Sequence, residues 1–104
     1  IEHLSFEHIV MLFDECLRVL KPGGKIIFET PNPENLTVGA YTFYLDPTHL
    51  NPLPPVTVEF IARQRGFSCV DIYRYNPRPE VGEITPLVEH WFCSPVDFAV
   101  IAEK

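Results

Sequence analysis

His49 stands between Asp46 and Asn51 in the run Phe43-Tyr44-Leu45-Asp46-Pro47-Thr48-His49-Leu50-Asn51-Pro52, and its residue type suits it to moving a proton. An imidazole changes charge near neutral pH, so His49 can act as a general base or hold a polar ligand. The same spacing also builds a tight turn, in which the Asp46 and Thr48 side chains satisfy backbone groups. Upstream, Asn32 and Asn35 carry amides that can bind hydroxyls or close Asx turns. Tyr41, Phe43 and Tyr44 could wall a flat ring, or simply pack over a helix. Asn32, Asn35, Tyr41, Tyr44 and Asp46 are therefore the candidate substrate contacts around His49. No HxH, HExxH or CxxC spacing occurs among the four histidines and three cysteines, so no metal site is expected. Nor does a Ser-His-Asp set or a pair of carboxylates stand out.

These residues need a scaffold, and the chain offers one. Ser5 is placed to cap a helix, with Glu7 in its first turn, and Ile9, Phe13, Cys16, Leu17 and Leu20 recur at helical spacing. Lys21-Pro22-Gly23-Gly24 stops that helix. A strand from Lys25 to Thr30 follows. Its Ile26-Ile27-Phe28 run lacks alternation, as expected of a strand covered on both faces. Asn32 and Asn35 lie just past the carboxyl end of this strand, the usual ligand side of an open α/β sheet.

Pro31, Pro33, Pro47 and Pro52 punctuate a long connection that is too apolar for a flexible linker, and such connections tend to carry binding sites. Pro54 and Pro55 can open a second helix, which Gly66 ends before Phe67 returns to the core. A strand from about Ser68 to Tyr75, a turn-rich stretch with Arg78, Glu80 and Glu83 exposed, a short helix or turn over Leu87 to Cys93 and a last strand from Val96 to Ala102 complete the order. The fold class is α/β: a partial Rossmann-like sheet of about three strands with two main helices. The last strand is antiparallel because no helix of useful length precedes it.

Composition narrows the function classes. Eight basic and fourteen acidic residues give a net charge of −6, which argues against a nucleic-acid backbone or an anionic membrane as partner. No apolar run approaches the ~20 residues that span a bilayer. Three cysteines without paired spacing read as reduced thiols of a cytoplasmic protein, with Cys16 and Cys69 packed in the core. Ile1-Glu2-His3-Leu4 reads as the exit from an element that is not present, so the 104 residues are expected to be a fragment of one domain.

Glu2-His3-Leu4, then a helix, then Arg18-Val19-Leu20-Lys21-Pro22-Gly23-Gly24 and an apolar strand, with Arg65-Gly66-Phe67 before a later strand, resembles the C-terminal half of class I S-adenosylmethionine-dependent methyltransferases. Thr30-Pro31-Asn32-Pro33-Glu34-Asn35, with the run around His49, is similar to bacterial methyltransferases associated with cell-surface polysaccharide. The resemblance implies strands five to seven of a seven-stranded sheet, the last inserted antiparallel between the fifth and sixth. It also implies S-adenosylmethionine as cofactor of the intact protein, Glu2, His3 and Leu4 as the remnant of its site, and a small-molecule or saccharide acceptor. For methyl transfer to a hydroxyl, His49 is the candidate for general base or substrate ligand, with the tight turn as the other reading.

The family's glycine-rich loop has no counterpart in this chain, so the fragment alone is expected to be inactive and not to bind the cofactor. The alternative is a non-catalytic interaction module. A sheet missing half its strands leaves an open edge and an open apolar face, which favours a homo-oligomer.

Overall fold

A computed structural model describes residues 1–78 and 86–104. The expected exposure of Glu80 and Glu83 falls outside the described residues. Helix α1 spans Phe6–Val19 and is capped by Ser5, whose hydroxyl accepts from the His8 amide. Strand β1 spans Lys25–Pro31, helix α2 Leu36–Ala40, helix α3 Pro55–Arg65 and strand β2 Cys69–Pro77; helix α4 (Pro86–Phe92) precedes strand β3, Pro95–Glu103. Thr42–Leu45 forms one 3-10 turn. The long connection after β1 is thus partly helical. Asn35 makes this possible by accepting from the Thr37 and Val38 amides at the start of α2.

The sheet order is β1-β3-β2, with β3 antiparallel to both neighbours, so β1 and β2 run parallel to each other. In register, Phe28, Val100 and Ile72 lie side by side, as do Ile27, Ile101 and Asp71 one residue along. That alternation sorts the two faces. Ile26, Val70, Phe98, Val100 and Ala102 join Ile9 and Phe13 of α1 and Val58, Ile61 and Ala62 of α3 in one core. Phe13 sits edge-on to both Phe28 and Phe67, tying helix, strand and the turn after α3 together.

Both long helices cover the same face. The other is open: Ile27 and Tyr73 are each more than 60% exposed there. The unalternating Ile26-Ile27-Phe28 run therefore does not mark a strand covered on both sides. Cys69 also lies exposed, not in the core, because its strand position puts it on the open face, while Cys16 is half-buried.

Two turns bring the elements into place. Gly66 ends α3 at a φ of 109°, a left-handed angle that a side chain would resist, and the Phe67 amide then reaches back to the Ala62 carbonyl. At the end of α1, the Lys104 ammonium donates to the Leu17 and Leu20 carbonyls, so the last turn of the helix is satisfied by the far end of the chain.

Candidate functional site

The carboxyl ends of β1 and β2 and the start of β3 meet at one end of the sheet. Over that end fold two loops, residues 1–5 and 46–54. The Leu50 amide donates to the Glu2 carbonyl at 2.9 Å and fastens one loop to the other. The side chains of Glu2, His3 and His49 consequently converge. His3 Nε2 lies 3.6 Å and His49 Nε2 3.8 Å from the same Glu2 oxygen, Oε1, and the two imidazoles meet edge to face at 4.8 Å.

Each ring is held from behind. His49 Nδ1 donates to the Phe43 carbonyl at 2.7 Å, and the ring rests on the Phe43 side chain at 4.5 Å. Thr48 gives its hydroxyl proton to Asp46 Oδ1 at 2.6 Å, so at 2.9 Å the same oxygen receives the Nδ1 proton of His3. With both Nδ1 atoms donating, each ring turns its Nε2 toward Glu2. The Thr48 hydroxyl and amide hold the Asp46 carboxyl below its ordinary value, and the His49 and His3 rings add to this. Burial works to raise the Glu2 carboxyl. Hydrogen bonds, the first of them from the Ile1 amino group, outweigh that burial and leave it lowered.

Two hollows flank the cluster and share Pro31 and Asp97. One, of about 190 Å³, is lined by Val38, Thr42, Phe43, His49 and Arg78. The other is a wider shelf of about 500 Å³ lined by Glu2, Glu29, Thr30, Tyr75 and Asn76. His49 thus lines an apolar-walled recess and Glu2 a neighbouring polar shelf. A third hollow, of about 490 Å³, lies apart, against Glu34, Arg74, His90 and Trp91. There the Arg74 guanidinium forks onto both Glu34 oxygens and holds that carboxyl below its ordinary value.

The structure divides the residues singled out in the sequence. His49, Asp46, Glu2 and His3 are brought together. Leu4 packs against the core and does not face the opening. Asn32 and Asn35, read in the sequence as acceptor ligands, are fully buried and hydrogen-bonded, and Asn32 also lines the hollow beside Glu34 and Arg74. Asn32 donates to the Pro95 carbonyl and accepts from the Glu34 amide. Asn35 donates to the Phe92 and Ser94 carbonyls while it caps α2. These amides tie the β1 loop to the start of β3. Tyr41 and Tyr44 are over 60% exposed, with Tyr44 edge-on to Phe43, whereas Phe43 itself is buried behind His49.

Motif spacing along the chain missed the grouping of Glu2 and His3 with His49, because the contact crosses 45 or more residues. The Glu-His pair and the Asp-Pro-Thr-His turn were its only signal. The hollow beside Arg74, Glu34 and Trp91 had none.

No protein-family model matches this chain, and no curated protein matches it. Among solved structures the chain is similar to a SAM-dependent methyltransferase from Archaeoglobus fulgidus, with a TM-score of 0.89 and 30% sequence identity over 99% of this chain. The match covers 55% of that protein, so the chain spans about half its length. The sheet and helices described above are thus a partial methyltransferase fold. None of the described helices is long and apolar enough to cross a membrane.

Proposed function

We propose that this chain supplies the acceptor side of an S-adenosylmethionine-dependent methyltransferase that acts on a hydroxylated small molecule or saccharide in the cytoplasm. One observation carries the reading. In a fold shared with a methyltransferase, His49 is aimed by the Phe43 carbonyl and lines a recess at the ligand end of the sheet.

S-adenosylmethionine, when bound, supplies a methyl group on a positively charged sulfur. The 104 residues do not by themselves form a cradle for it: they contain no glycine-rich loop after a strand, and Leu4 is turned into the core. Their task is with the acceptor. Val38 and Phe43 wall the recess, and Arg78 and Asp97 provide polar contacts for hydroxyls. Were an acceptor hydroxyl bound there, His49 would take its proton as the methyl group is transferred. Exposed Tyr41 and Tyr44 beside this end suit a sugar ring, consistent with the polysaccharide-associated enzymes that the sequence resembles.

The test is product formation. The protein carrying this chain is incubated with S-adenosylmethionine and a panel of sugars, polyols and phenols, and S-adenosylhomocysteine is measured. Turnover that depends on a hydroxylated acceptor is expected; turnover only with amine or thiol acceptors, or with none, contradicts the proposal. The open sheet face with Ile27 and Tyr73 further favours a homo-oligomer. Sedimentation should show self-association that Ile27→Glu weakens, and a monomer at high concentration contradicts it.

A further inference from the structure

Glu2 Oε1 lies 3.6 Å from His3 Nε2 and 3.8 Å from His49 Nε2, while the other Glu2 oxygen is held by the Ile1 amino group. One ligand atom from each of the three residues lies within 4.8 Å of the other two. From these contacts we infer that Glu2, His3 and His49 form a binding site for a divalent transition-metal ion.

Two features separate this cluster from a chance meeting of polar side chains. First, both rings are fixed through Nδ1, His49 by the Phe43 carbonyl and His3 by the Thr48 hydroxyl, itself anchored on Asp46. Such outer partners set the tautomer of metal-binding histidines and leave Nε2 for the ion. Second, the spacing is close to what an ion requires. Ligands about 2.1 Å from a tetrahedral ion lie about 3.4 Å apart, and the Glu2 oxygen is 3.6 and 3.8 Å from the two nitrogens. A small inward shift of His3, which is half-exposed, closes the set. Asp46 Oδ2, 3.7 Å from His49 Nε2, is near enough to join as a fourth ligand.

Imidazole ligands favour zinc, cobalt, nickel, copper or iron(II) over magnesium, calcium or manganese. Three protein ligands leave open positions. The metal site rests on geometry alone, but its use rests on the methyl-transfer reading. Were an ion held there, it would make an acceptor hydroxyl on an open position more acidic, and His49 would serve as its ligand in place of acting as the base.

The probe is Co²⁺ added to the chain with an acetylated amino terminus, which keeps the Ile1 amine from acting as a ligand. Saturable binding of one ion per chain, with visible bands of a low-coordinate site, is expected. Glu2→Gln, His3→Ala and His49→Ala should each weaken it about ten-fold or more, while His8→Ala and His90→Ala leave it unchanged. Zn²⁺ should also raise the melting temperature of the wild type but not of Glu2→Gln, a variant of the same shape. Binding that fails to saturate, that survives His49→Ala in a folded chain, or that is lost equally in His8→Ala overturns the proposal. Loss of methyl transfer without loss of Co²⁺ binding would strike the enzymatic reading and leave the site standing.

Discussion

His3 Nδ1 lies 2.9 Å from the hydroxyl oxygen of Thr48, a residue 45 positions further along the chain. That oxygen has one proton, and Asp46 accepts it at 2.6 Å. The His3 ring therefore faces the cluster in one orientation, Nδ1 toward Thr48 and Nε2 toward Glu2. Thr48→Val removes both bonds while keeping the side chain's volume. Affinity for Co²⁺ should fall about ten-fold, with a change in unfolding free energy under about 1 kcal/mol because the contact is exposed. Thr48→Ser should restore the affinity. An unchanged affinity in Thr48→Val, measured by absorption titration, would show that the hydroxyl does not position His3.

Asn35 tests the division between scaffold and site. Its side chain accepts from two amides of α2 and donates to the carbonyls of Phe92 and Ser94. Asn35→Ala should cost about 2–4 kcal/mol, a lost cap plus buried carbonyls left without donors. Urea unfolding reads this directly. The KM for the acceptor in the folded fraction should stay within about two-fold, because the amide faces no hollow. A large rise in KM without loss of stability would return Asn35 to the binding residues.

The Glu34–Arg74 fork gives a pH dependence of known sign. Arg74 depresses the Glu34 pKa from its ordinary 4.5. The fork's contribution is thus complete above that value and disappears as the pH falls through the lower, folded value. Both groups are more than a third exposed, so solvent screening keeps the contribution below about 1 kcal/mol. The melting temperature of the wild type should exceed that of Glu34→Gln near neutral pH, and the gap should close in strong acid. A gap that widens on acidification contradicts the assignment.

Much of the scaffold was legible because local chemistry and tertiary position agree. Ser5 caps α1, Pro55 opens α3, Gly66 closes it, and β3 pairs antiparallel between β1 and β2. Ile27 misled because periodicity reports polarity and not what covers a face. In this structure its apolar side chain meets water. At the site, His49 and Asp46 were visible as an unusual turn, and Glu2 and His3 only through resemblance. Their convergence depends on the Leu50–Glu2 backbone bond between distant loops, which no local pattern encodes. Asn32 and Asn35 were visible as turn formers and as ligands alike.

The central claim is that the acceptor reacts beside His49. Its most direct test is the single-turnover rate of methyl transfer in the protein carrying this chain, with enzyme in excess and the best hydroxylated acceptor. His49→Gln should lower that rate by a factor of about 10²–10⁴, and His90→Gln, on the distant α4, should leave it within about two-fold. A His49→Gln variant that folds and transfers the methyl group at the wild-type rate would contradict the account.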